Sequence, residues 1–233
     1  MKGIIFDMDG VLIDAMPFHA EAMRIAVKEE TDHEIEKKIV FLLEGMPALD
    51  LIKEIFRREN IDKDIDDILA EKISKRKKEL FKQIQKSQAI EGAKELIEDL
   101  RNCNCLKAVV SGAARKEIEA ILDKNIGSKN FDLIIAGDEI EEGKPDPSPF
   151  QTALERMNLQ PSEAIVVENS PLGVEAAIRA GIQYVITLNN TPLDVLSDFK
   201  GLITSSDKDT YNNNRVFKDT KSASAFLKEW CCS

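Results

Sequence analysis

The chain has 233 residues, 43% hydrophobic and 32% charged, enough apolar material for one large domain or for a core with a smaller insert. Its formal net charge is -10, which makes a nucleic acid or an anionic membrane a poor partner, because phosphate backbones need basic faces. A small phosphorylated ligand stays open, since a metal and one or two local cations can invert the field inside a cleft. No basic segment followed by an apolar stretch leads into the first strand, and no run reaches membrane-spanning length, so a cytoplasmic protein is expected. Cys103, Cys105, Cys231 and Cys232 are spaced C-x-C and C-C, which does not read as a zinc site; reduced thiols are expected.

In chain order, Ile4, Ile5 and Phe6 form a short apolar run that suits a strand buried on both faces. Asp7 and Asp9 follow it, then Gly10. Residues 17–30, 34–43 and 48–59 read as helices, with Pro17 at a first-turn position. Ile65, Ile68, Leu69, Ile73, Leu80, Phe81 and Ile84 mark one face of a longer helix. Gly45 is the one glycine between 11 and 91, so residues 15–88 read as an all-helical insert. From 89 onward strands alternate with helices: strands at 106–110, 133–136, 164–167 and 184–188, helices at 92–101, 115–123, 150–157 and from Ser170-Pro171 to about Gly181. Such alternation builds a parallel sheet with helices on both faces, a Rossmann-like α/β core. Residues 207–215 read as a polar loop and 222–230 as a closing helix.

A strand that ends in paired carboxylates puts charge at the carboxyl edge of the sheet, where open α/β sheets bind ligands. Asp7 and Asp9 are two apart and lean to one face of an extended chain. One can attack an electrophile while the other moves a proton, with a divalent cation holding the charges together.

The stretch Asp7-Met8-Asp9-Gly10-Val11-Leu12 resembles the first motif of the haloacid dehalogenase-like hydrolases, in particular the members similar to β-phosphoglucomutase and phosphoglycolate phosphatase. Three further matches follow in the family's order: Ser111 after the run 107–110, Lys144 in Glu142-Gly143-Lys144-Pro145-Asp146-Pro147, and Glu168-Asn169. The resemblance implies a core of residues 1–14 and 89–233 with strand order 5-4-1-2-3, and a helical cap of residues 15–88 over the active site. It implies Asp7 as nucleophile, Asp9 as general acid and then base, and Ser111 with Gly112 and Ala113 cradling the transferred phosphoryl. Lys144 would neutralise charge, and Asp7, Asp9 through its backbone carbonyl, Glu168 and Asn169 would hold Mg²⁺. Many relatives carry an acid where Asn169 stands, although an amide oxygen also suits that hard cation.

Other positions are open to two readings. His19 on the first cap helix faces the cleft in mutase-like relatives, yet a lone helical histidine is commonly structural. Lys77 matches a substrate-contacting cap position, yet lies in the charge run Lys75-Arg76-Lys77-Lys78. Arg115 is a further candidate for a substrate charge. The expected function is Mg²⁺-dependent hydrolysis of a small phosphorylated metabolite through an aspartyl-phosphate. The rivals are a β-phosphoglucomutase-like phosphosugar mutase and a catalytically idle binding protein on the same scaffold. Against the mutase, the cap loop Gly45-Met46-Pro47-Ala48 has no arginine where such relatives carry a phosphate-gripping one.

Overall fold

The computed structural model describes residues 1–61, 65–194, 198–199 and 214–232. The first apolar run becomes β1 (Lys2–Asp7), with Ile4, Ile5 and Phe6 wholly buried. It is joined by β2 (Cys105–Ser111), β3 (Leu133–Ala136), β4 (Ala164–Glu168), β5 (Tyr184–Leu188) and β6 (Asn214–Phe217). The sheet order is β3-β2-β1-β4-β5-β6 and every neighbouring pair is parallel. The five expected strands thus stand in the expected order, and β6 extends the sheet beyond β5. Of the expected polar loop 207–215, residues 207–213 lie outside the described residues, while 214 and 215 belong to β6. An edge strand that is short and carries Asn214 and Arg215 has no apolar run by which to be recognised.

Register decides what reaches the carboxyl edge. Phe6 pairs with Val109 on one side and Val167 on the other, so Asp7, Ser111 and Glu168 end three adjacent strands at nearly one level. Buried parallel strands need covering helices, and these are α5 (Ala93–Asp99), α6 (Arg115–Asn125), α7 (Ser148–Met157), α8 (Pro171–Arg179) and α9 (Thr220–Cys232), numbered after the four cap helices below. Ser170 caps α8, its side chain accepting from the Gly173 amide at 3.1 Å, as the Ser-Pro pair predicts.

Between β1 and α5 lie α1 (Met16–Thr31), α2 (Lys37–Leu42), α3 (Ala48–Arg58) and α4 (Asp67–Ile84). Helices α1 and α4 pack together through Ala20, Met23 and Val27 on one and Ile73, Leu80 and Phe81 on the other. The expected apolar face of α4 needs one correction. Ile68 is 77% exposed, because the helix starts at Asp67 under an Asp66 cap and its first turn projects beyond the packed region. The chain enters and leaves this helical part side by side: Ile13 pairs with Ala89, the Asp14 amide donates to the Gln88 carbonyl at 2.8 Å, and the Ile90 amide donates to the Leu12 carbonyl at 2.9 Å.

The cysteines depart from expectation. Cys103 is bonded to Cys232 and Cys105 to Cys231, with Cα–Cα separations of 5.3 and 5.7 Å. The partners are 129 and 126 residues apart, so only the docking of α9 beside the start of β2 brings them together. Neither the C-x-C nor the C-C spacing reports a pairing across that distance. No helix among the described residues is long and apolar enough to cross a membrane.

Candidate active site

A cavity of about 490 Å³ lies over the carboxyl edge of β1 and β2, with α1 and α4 on its far side. Asp7 and Lys144 form its floor. The Lys144 ammonium is 2.5 Å from Asp7 Oδ1 and 2.5 Å from Glu168 Oε1, and all three side chains are buried. The ammonium also lies over the Phe150 ring, with Nζ 5.3 Å from the ring centroid. Burial pulls the ammonium's pKa down, but Asp7 and Glu168 more than offset this and hold it above its ordinary value. Burial pushes the Asp7 carboxyl up to about 8; Lys144 pulls it back, while Glu168 and Asp9 add repulsion. One lysine therefore does not compensate the carboxylates packed here, and a further cation is electrostatically favoured.

Glu168 is held on both oxygens. Oε1 meets Lys144, and Oε2 accepts from the Asn169 amide, the Ser170 amide and the Ser170 hydroxyl at 2.8, 2.9 and 3.0 Å. Asp7 Oδ2, Asp9 Oδ1 and Asn169 Oδ1 are buried without a hydrogen-bond partner. Among the described residues no three His, Cys, Asp or Glu side chains are grouped so as to hold a metal ion by themselves. The orphaned atoms are nonetheless all oxygens, the donor type that Mg²⁺ takes, and the Asp7 and Asn169 side chains fit such an ion while the Asp9 carboxyl is left for proton transfer. Glu168 could join through Oε1 by sharing it with Lys144.

The turn after β1 lies directly against Asn169. Gly10 has a φ of +86°, and its amide donates to the Ile13 carbonyl at 2.8 Å. A Cβ at Gly10 would overlap the Asn169 amide group, so glycine is required there for both conformation and space. Burial raises the Asp9 carboxyl to about 6, with Lys77 pulling it down and Glu117 opposing that pull.

His19 and Lys77, one from α1 and one from α4, face Asp9. Lys77 Nζ is 2.6 Å from His19 Nδ1, and the His19 ring stacks on Phe81 with centroids 3.8 Å apart. Burial, then the Lys77 charge, lowers the His19 pKa well below its ordinary value, so the ring is neutral. With Lys77 donating to Nδ1, the ring proton sits on Nε2, which is 4.0 Å from Asp9 Oδ2. Burial also lowers the Lys77 ammonium to about 8. Both cap candidates are thus in the cleft rather than on a solvated face.

Ser111 lies at the end of β2, buried, with Oγ accepting from the Ala113 amide at 3.2 Å. It lines the cavity together with Gly112 and Ala113. Arg115 does not. Its guanidinium is held by Glu139, by Glu119 at 3.5 Å and by the Ile134 carbonyl at 2.6 Å, away from the cavity wall. An acid 24 residues further on takes a charge that the position alone makes available to substrate. Three acids that the motifs do not mark also line the cavity, Glu44 from the loop before α3, Glu117 from α6 and Glu141 from the segment before Lys144. The one cue to Glu44 is its place before the isolated Gly45.

Comparisons to known proteins show the family. The family model for haloacid dehalogenase-like hydrolases matches residues 4–187. A phosphorylated carbohydrates phosphatase of Thermotoga maritima is 30% identical over 208 residues, covering 87% of this chain and 90% of the relative. A phosphoglycolate phosphatase of Aquifex aeolicus is 30% identical over 192 residues, covering 81% and 85%. A solved structure from Bacteroides vulgatus, described as a candidate β-phosphoglucomutase, superposes with a TM-score of 0.83 at 28% identity, covering 99% of this chain and 88% of that one. With the motif residues gathered at one sheet edge and the family model spanning most of the core, the chain belongs to the haloacid dehalogenase-like hydrolases, among their phosphatase members.

Proposed function

We propose that the protein is a Mg²⁺-dependent phosphatase that hydrolyses a small phosphorylated metabolite through an aspartyl-phosphate on Asp7. The observation that carries this reading is the clamp at the floor: Lys144 engages Oδ1 of Asp7, a residue that lines the cavity, and leaves its Oδ2 without a hydrogen-bond partner among the described residues. Asp7 attacks phosphorus, forming the P–O bond to its carboxylate as the bond to the leaving oxygen breaks. Asp9, with its carboxyl raised to about 6, carries a proton in part of the population near neutrality and gives it to that leaving oxygen. Asp9 then takes a proton from water, which attacks the phosphoryl group and frees Asp7 as inorganic phosphate departs. Ser111, with the neighbouring amides, holds the equatorial oxygens during transfer. When bound, Mg²⁺ would supply charge neutralisation for the transferring phosphoryl. His19 and Lys77 bind the substrate side that faces the cap and keep Asp9 oriented.

Hydrolysis is favoured over mutase action by the far wall of the cleft. Met46, Pro47 and Ala48 line it, and among the described lining residues there is no arginine to grip a second phosphate. Arg57 and Arg58 are both held by Glu54. The relatives named above act on phosphorylated carbohydrates and phosphoglycolate, and a sugar phosphate or similar metabolite is the substrate class inferred here. The test is a phosphatase screen over sugar phosphates, phosphoglycolate, nucleotides and pyrophosphate, with phosphorus NMR on β-glucose 1-phosphate plus a trace of bisphosphate. Release of inorganic phosphate supports the reading. Conversion to glucose 6-phosphate without that release makes the protein a mutase, and no turnover with Mg²⁺ binding retained makes it a binding protein.

A further inference from the structure

Six buried side-chain polar atoms lack a hydrogen-bond partner among the described residues, and four of them belong to Asp7, Asp9, Asn169 and Glu44. Glu44 is not part of any motif. It sits in the helical part, between α2 and α3, and is only 9% exposed. Its loop presses on the core at a specific place. Gly45 has a φ of +90°, and a Cβ there would overlap the Lys144 stem. From the other side, a Cβ at Gly143 would crowd the Pro47 ring at 2.9 Å and the Gly45 carbonyl at 3.0 Å. Two glycines, one on each surface, let the loop seat directly against Lys144.

That seating puts the Glu44 carboxylate against Asn169. Glu44 Oε2 accepts from Asn169 Nδ2 at 3.1 Å, across 125 residues of chain. The amide nitrogen is therefore committed to the helical part, and its oxygen is left over with Glu44 Oε1. Buried acids without partners are costly unless a cation joins them. Every orphaned atom is an oxygen, as a hard divalent cation requires.

We propose that Glu44 is a cation ligand supplied by the cap, which replaces the negative charge missing at Asn169 and ties cap closure to metal binding. This rests on the Mg²⁺ reading above. A site built this way is complete only when the loop 43–47 is seated, so the ion and the closed cap stabilise each other reciprocally.

The test measures Mg²⁺ affinity by titration calorimetry, with hydrogen exchange at the amides of Gly45 and Met46, both without substrate. The parent protein binds Mg²⁺ and gains protection in that loop. Glu44→Gln, nearly isosteric, weakens Mg²⁺ binding roughly ten- to hundredfold and loses the protection. Adding Asn169→Asp to Glu44→Gln restores affinity from the core side but not the protection of the loop. Should Glu44→Gln not fold by circular dichroism, Glu44→Asp, which keeps the charge and retracts the oxygen, gives the same weakening. If the parent binds Mg²⁺ and the Glu44 variant that folds binds it equally well, or if the double variant protects the loop like the parent, the proposal is overturned while the metal reading stands. If the parent binds no Mg²⁺, the metal reading itself fails and takes this one with it.

Discussion

Lys144→Met isolates the charge at the floor of the site. Methionine keeps much of the stem that packs under Gly45, and removes the ammonium that lies over Phe150 and touches both Asp7 and Glu168. Lys144 is 3% exposed, Asp7 5% and Glu168 0%, so water cannot take over the role. Removing one partner of a buried ion pair costs about 3–5 kcal/mol, and here a single cation serves two carboxylates, so the upper end is expected. In a chain of this size each kcal/mol shifts Tm by about 2–4 °C, so Tm should fall by roughly 10–20 °C without Mg²⁺ at pH 8. The pH dependence has a definite sign. Without the lysine, Asp7 loses the cation that pulls its carboxyl down and folds with that carboxyl raised still further above its unfolded value, so the folded chain binds more protons than the unfolded one in that interval. Stability of the variant therefore rises as pH falls from above 8, the value Asp7 already approaches in the parent, toward the ordinary carboxylate range. Urea unfolding of parent and variant at pH 8 and pH 5.5, in EDTA, reads this directly. A variant as stable as the parent at pH 8, or one whose deficit grows on acidification, refutes the claim that Lys144 compensates buried negative charge.

Other outcomes follow from the same site. Asp7→Asn abolishes turnover, because an amide is a very poor nucleophile, while circular dichroism stays that of the parent; near-normal turnover removes Asp7 from the mechanism. Glu168→Ala raises the Mg²⁺ requirement strongly and Asn169→Asp is tolerated, and full activity in excess EDTA sinks the metal assignment. KM rises as pH passes upward through about 8, where Lys77 loses its charge, and Lys77→Arg flattens that rise; an unchanged profile in the variant takes Lys77 out of substrate binding. Dithiothreitol lowers Tm by roughly 10 °C or more, since one link across so long a loop is worth up to about 5 kcal/mol in the chain-entropy account; an unchanged melting curve means that the cysteines do not staple the fold.

The floor of the site was legible from sequence because its residues sit where strand ends force them. Asp7 and Glu168 close buried apolar runs, and Ser111 ends another, so their level at the sheet edge follows from register. Lys144 was legible from its Gly-Lys-Pro context, although that context does not state which acids it meets. What escaped depends on contacts between distant segments. Glu44 acquires meaning when Gly45 seats on Lys144, 99 positions later in the chain, and no local pattern encodes that. Arg115 reads as a free charge in sequence, and its partner Glu139, 24 positions further on, meets it only once the chain is folded. The cysteine pairs and β6 were missed for related reasons, the former joined only by the docking of α9 and the latter an edge strand without an apolar run.

The paired crossings between core and cap limit how the cap can travel. Were residues 13–14 and 88–90 separate tethers, the helical part could slide, twist and tilt independently of the sheet. They are instead hydrogen-bonded to each other as a two-stranded ribbon, from Leu12–Ile90 to Asp14–Gln88. A ribbon bends across its flat face far more easily than it shears in its plane. Any movement of the helical part on such a ribbon is confined to one axis, like a door on its hinge. In such a swing Glu44, His19 and Lys77 would leave and return together.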